Sequence, residues 1–142
     1  TINRILGLFS LGEEQQLRLR LADSLRYIVS QRLAPRVGGG RHLITEIMGN
    51  NLRTKETVAL GEDEHRSFYE IIESSSTFGW MTFDQSLLEA YENDMITEET
   101  ARLFASRKGR IARGIDLIQK VRGIDTELSS GLRLDVPTNA FT

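Results

Sequence analysis

The sequence predicts an α/β protein, mostly helical, with one β-hairpin set between helical stretches. Two observations carry this. Apolar residues recur at helical spacing before about residue 29 and again after residue 50. Between them, two alternating stretches flank Gly38, Gly39 and Gly40, which is the chemistry of a turn joining two strands.

The elements follow in chain order. Ile2, Ile5, Leu6 and Phe9 form one helical face. Ser10 and Glu13 have capping-box spacing, and Leu17, Leu21, Leu25 and Ile28 line the helix they open. Glu13 and Glu14 come first and Arg18, Arg20 and Arg26 later, an order that suits the helix dipole. Val29, Gln31 and Leu33 point one way in an extended chain, as do Leu43, Thr45 and Ile47. Asn50 or Asn51 caps a helix that runs to Leu60 and stops at Gly61. Asp63 caps the next, with Phe68, Ile71 and Ile72 inside. Leu87, Leu88 and Tyr91 mark another helix. Thr97 caps one that buries Leu103 and Phe104, and Ile111, Ile115, Ile118 and Val121 mark the last.

Composition narrows the chemistry. The chain has no cysteine and two histidines far apart, so no metal site is expected. A net charge of -2 gives no case for nucleic-acid binding. The run Arg107, Lys108, Arg110 and Arg113 has no interleaved aromatics and reads as a solvated face. No apolar run approaches the ~20 residues of a membrane span, so no membrane insertion is expected and the cytoplasm is the expected location. The three glycines lack the G-x-x-x-x-G-K-[ST] pattern of a phosphate loop.

The stretch with most functional groups is GWMTFDQSL, residues 79–87. Each polar group in it has a structural task. Thr82 and Gln85 have capping-box spacing, and Asp84 in the first turn favours the dipole. No histidine is near enough in sequence to suggest a nucleophile–base pair. The stretch reads as a helix start that positions something else.

A series of motifs adds to this reading: VSQRLAPR, TEI, GWMTFDQSL and ITEETA. Together they resemble the carboxyl-terminal part of the PilT/PilU-like ATPases, the twitching-motility motors that retract type IV pili, within the type II/IV secretion ATPase superfamily. Val29, Ser30, Gln31, Arg32, Leu33, Pro35 and Arg36 match the first family motif, and Glu46 and Ile47 the second. Gly79, Thr82, Asp84, Gln85 and Leu87 match the third; Ile96, Thr97, Glu99 and Ala101 match the fourth.

The resemblance implies a division of the chain. Residues 1–48 would end a RecA-like P-loop ATPase core, as a β-hairpin or final sheet strands. Residues 49–128 would be a carboxyl-terminal helical region and 129–142 a flexible tail. The family's Walker A loop, Asp box, Walker B segment and His box would precede Thr1. ATP and Mg2+ would then belong to the full-length protein, with no cofactor in this piece and no hydrolysis by it alone. Gln31, Arg32 and Arg36 are the candidates for nucleotide or subunit contacts, since a guanidinium fork suits either. The family's retraction helix corresponds to RTKETVALGED, with Lys55, Glu56 and Val58 as candidates. Lys55 and Ala59 stand where retraction members carry arginine, so the chemistry of that helix is altered.

By the same resemblance, the partners would be the protein's own upstream ATPase domain, neighbouring subunits of a homo-hexamer, and the pilus inner-membrane platform. The place would be the cytoplasmic face of the bacterial inner membrane. The implied role is subunit assembly and mechanical coupling of ATP hydrolysis to pilus retraction. The alternative is a non-enzymatic helical adaptor that binds a partner along residues 84–121.

Overall fold

The computed structural model describes residues 2–123. Its spine is an antiparallel hairpin of β1 (Tyr27–Pro35) and β2 (Arg41–Gly49), in register from Tyr27 opposite Gly49 to Pro35 opposite Arg41. The turn needs its glycines: Gly38, Gly39 and Gly40 have φ of 82°, 103° and 79°, which side chains disfavour.

The two faces of the hairpin differ. Ala34, Ile44 and Met48 are buried on one face. Tyr27, Val29, Leu33 and Leu43 stand on the other and are exposed. The two edges differ as well. Beside β2, the Ile47 N–H donates to the Met81 carbonyl at 2.8 Å, and the Ile47 carbonyl accepts from the Met81 N–H at 3.1 Å. Ser86 Oγ accepts from the Thr45 N–H at 3.1 Å. These groups point away from β1. Their cross-strand partners Val29 and Gln31 therefore also point away, because opposed residues in an antiparallel ladder share their orientation. That outer edge of β1 pairs with no other strand among the described residues.

Helices flank the hairpin in sequence. Before it come α1 (Ile2–Leu6) and α2 (Leu11–Ser24). After it come α3 (Leu52–Leu60), α4 (Phe68–Glu73), α5 (Phe83–Glu92), α6 (Glu98–Phe104) and α7 (Lys108–Val121), with one 3-10 turn at Ser76–Phe78. They bury two cores. Ile2, Leu6, Ala22, Val58, Ile71, Ile72 and Trp80 gather around Met48 at the base of the hairpin. Phe83, Leu87, Ala90, Tyr91, Ile96, Ala101, Ile111 and Ile115 gather around Ala34 and Ile44 nearer its tip.

Several starts and stops are local chemistry. Glu13 accepts from both the N–H and the hydroxyl of Ser10. Asn51 accepts from the Thr54 N–H at 2.9 Å and Thr97 from the Thr100 N–H at 3.1 Å. Gly61 ends α3 at φ 89°.

Other expectations are corrected. The second helix stops at Ser24, so Ile28 lies on β1 rather than on that helix. It still packs against the same core as Leu17, Leu21 and Leu25. Phe9 lies beyond the short α1 and is half exposed. Asp63 does not cap α4. Its carboxylate is taken by Arg66 in a tight turn, and the Phe68 N–H is capped by Glu62 at 2.8 Å. Leu103 is 77% exposed because Ala101 takes the inward position of α6. Val121, one turn beyond the inner face of α7, is also exposed. The segment 129–142, expected to be a flexible tail, lies outside the described residues.

Candidate functional site

Between the two cores runs a polar seam, and its centre is Asp84. The residue sits in the first turn of α5 and is 2% exposed. Thr82 and Gln85 fix that turn: Thr82 Oγ1 accepts from the Gln85 N–H at 3.1 Å, and Gln85 Oε1 accepts from the Thr82 N–H at 2.9 Å. Gly79, left-handed at φ 75°, turns the chain into this start. The Asp84 carboxylate then accepts from the Ser106 N–H at 2.7 Å, the Arg107 N–H at 2.9 Å and the Tyr69 hydroxyl at 2.8 Å. One buried charge thus joins α4, α5 and the link between α6 and α7. Charge-assisted bonds of this kind are roughly twice as strong as neutral ones.

Two arginines close over the seam. Arg107 stacks on Tyr69 with its guanidinium carbon 3.9 Å from the ring centroid, and its Nη1 lies 3.7 Å from Glu70. Arg32 stacks on Phe83 at the same distance. Its Nη1 donates to the Phe104 carbonyl at 3.3 Å and to Ser106 Oγ at 3.4 Å. Such stacking on an aromatic face holds a guanidinium in place and leaves its rim free to donate. Burial pushes the Glu46 carboxyl above its ordinary value, against the opposing pull of the Phe83 N–H and of Arg32. Burial, followed by the bond to Asp84, pushes the Tyr69 phenol up.

As chemistry, the seam holds rather than reacts. Asp84 has its oxygens occupied by three donors, so it is no free base. No group of three metal-ligating side chains occurs among the described residues.

The expected site residues are dispersed. Arg32 belongs to the seam, and Thr82, Asp84 and Gln85 build it. Gln31 lies on the outer face of β1, and Arg36 is exposed beside the turn, where its N–H donates to the Gly40 carbonyl at 3.1 Å. Lys55 and Glu56 are exposed on α3, but Val58 is fully buried and cannot meet a partner at the surface. Tyr69 and Arg107 were not singled out for this site from the sequence. They stand 15 and 23 positions from Asp84, and no local pattern links them.

No family model matches the chain. Curated relatives and solved structures do. Over 102 residues the chain is 30% identical to the type IV pilus retraction ATPase PilT of Pseudomonas aeruginosa, a match covering 72% of this chain and 29% of PilT. Over 103 residues it is 29% identical to a twitching motility protein of Neisseria gonorrhoeae, covering 72% of this chain and 27% of that protein. The structure of the pilus retraction motor PilT with bound ADP superposes with a TM-score of 0.60 at 28% identity, over 79% of this chain and 30% of the other. The hairpin and helices therefore resemble the carboxyl-terminal region of a PilT-type ATPase. The chain is related to the PilT/PilU-like family of twitching-motility and pilus-retraction proteins. It spans less than a third of the length of the curated relatives it matches.

Proposed function

We propose that the chain serves as the carboxyl-terminal part of a type IV pilus motor ATPase, where it assembles subunits and couples ATP hydrolysis to pilus retraction. The observation that carries this is the match to PilT in both sequence and fold. In this reading a RecA-like core, with its ATP and Mg2+ sites, lies in the rest of the protein. The protein works as a hexameric ring on the cytoplasmic face of the inner membrane, against the pilus platform. The sequence contains no G-K-[ST], which fits a division in which the phosphate cradle lies elsewhere.

The hairpin supports this reading physically. Its inner face is filled, while Val29, Leu33 and Leu43 are about half exposed on the outer face. Beside them runs the open edge of β1. An apolar sheet face next to an unpaired edge invites covering. The remaining two-thirds or more of a PilT-length protein supplies a candidate cover. Arg32, whose Nε and Nη2 donate to no group among the described residues, and Arg36, at the hairpin tip, are the side chains suited to reach a neighbouring subunit or its nucleotide.

The test uses the full-length protein and the 142-residue chain side by side. The full-length protein is expected to hydrolyse ATP, and the 142-residue chain to release no phosphate. Arg32→Ala in the full-length protein should lower turnover more than it lowers thermal stability. Phosphate release by the 142-residue chain, or unchanged turnover in the Arg32→Ala protein, would overturn this assignment.

A further inference from the structure

Arg32 is exposed on β1, yet its guanidinium is held at three points. It lies over the Phe83 ring, and Nη1 donates to both the Phe104 carbonyl and Ser106 Oγ. An exposed arginine without such holds keeps most of its rotamer freedom.

All three holds trace to one turn of helix. Phe83 and Asp84 are successive residues at the start of α5. Phe83 is the platform itself. Asp84 fixes the other two holds, because its carboxylate takes the Ser106 and Arg107 N–H groups at 2.7 and 2.9 Å. Those bonds pin the link that carries the Phe104 carbonyl and the Ser106 hydroxyl. Which nitrogen is held also matters. Nη1 lies on the Cδ side of the guanidinium. Nε and Nη2 form another edge, a pair of parallel donors that fits two oxygens of a carboxylate or a phosphate. Neither of them donates to a group among the described residues. Glu46 is the acid whose charge Arg32 feels, but the two form no ion pair among the described residues.

We propose that Asp84 is a positioning residue for Arg32. By pinning the link between α6 and α7, it holds the arginine by Nη1 and keeps the Nε–Nη2 edge set for an oxyanion brought by a neighbouring subunit. That oxyanion is a phosphate of the nucleotide or a carboxylate of the subunit. The ligand rests on the motor reading; the cradle does not.

Two measurements test the pair. In NMR spectra of the 142-residue chain, the Phe83 ring should move the Arg32 Hδ and Hε signals upfield. Asp84→Asn puts an amide donor against a backbone N–H and should at least halve that displacement. Ser106→Ala changes an exposed side chain, retains the fold and should reduce it in part. Leu6→Ala, a buried change in the other core, should leave it intact. In the full-length protein, Asp84→Asn should lower ATP turnover at saturation at least about fivefold. Added to Arg32→Ala, it should cost less than about twofold more, since both act through one group. Weaker nucleotide binding by Arg32→Ala in an intact ring would support a phosphate, and loss of the ring would support a carboxylate. Unmoved Arg32 signals in both seam variants, or turnover losses that multiply in the double variant, would overturn the inference while the motor reading stands. Unchanged turnover in Arg32→Ala alone would overturn both.

Discussion

The two faces of the hairpin carry similar residues to opposite ends. Ile44 and Met48 are buried in the two cores, while Leu33 and Leu43 meet solvent on the same strands. Hydrophobicity alone does not separate the two sets. What separates them is the neighbourhood: the inner face receives helices from both sides in sequence, whereas on the outer face Trp80 presses only on Gly49 at the base and Val29, Leu33 and Leu43 stay exposed. In the proposed reading, this bare face is where another part of the protein would pack.

Substitutions can break or sharpen this contrast. The largest effect is expected on the inner face. Ile44→Ala in the 142-residue chain should cost about 4 kcal/mol in urea unfolding, as buried isoleucines do. Leu33→Ala on the outer face should stay within about 0.5 kcal/mol in the same assay. Equal losses for the two would remove the distinction.

The seam comes next. Asp84→Ala strands two backbone N–H groups and the Tyr69 hydroxyl, and should cost about 3 kcal/mol. Tyr69→Phe removes one of those donors and should cost about 1 kcal/mol, with the Asp84 bonds to Ser106 and Arg107 kept. Thermal or urea unfolding of the pair tests the order. At the hairpin base, Gly49→Ala should cost about 2 kcal/mol through its clash with Trp80, and should red-shift the tryptophan emission.

The smallest effect is a pH dependence at Glu46. Its folded pKa is raised by burial, so the folded state holds this proton more tightly than the unfolded chain does. Its contribution is fully present below the ordinary carboxylate range and is lost as pH rises through the folded value. Glu46→Gln should therefore be more stable than the parent at pH 7, with the advantage fading in acid. A constant difference across that range would show that the charge of Glu46 is not what matters.

How much of this was legible in the sequence depends on distance along the chain. Caps at Asn51, Thr82 and Thr97 and the glycine turn involve residues within three or four positions of one another, and such spacing can be read directly. The hairpin was legible for the same reason. Which of its faces lies inside was not, because both faces alternate with comparable apolar residues. Helix ends misled where an apolar residue extended a helical pattern past its last packed turn, as at Phe9 and Val121, and on α6 the inward position fell to the small Ala101 rather than to Leu103. For Asp84 the helix-start role follows from its place after Thr82. Its larger role does not, since its donors come from Tyr69, Ser106 and Arg107, which only the fold brings near.

The most direct test of the account is hydrogen exchange at the outward-facing amides of Val29 and Gln31, measured in the 142-residue chain and in the full-length protein. The account expects fast exchange at both positions in the short chain and strong protection in the full-length protein, where the outer face and edge of β1 are covered. Equally fast exchange at these amides in both proteins would contradict it.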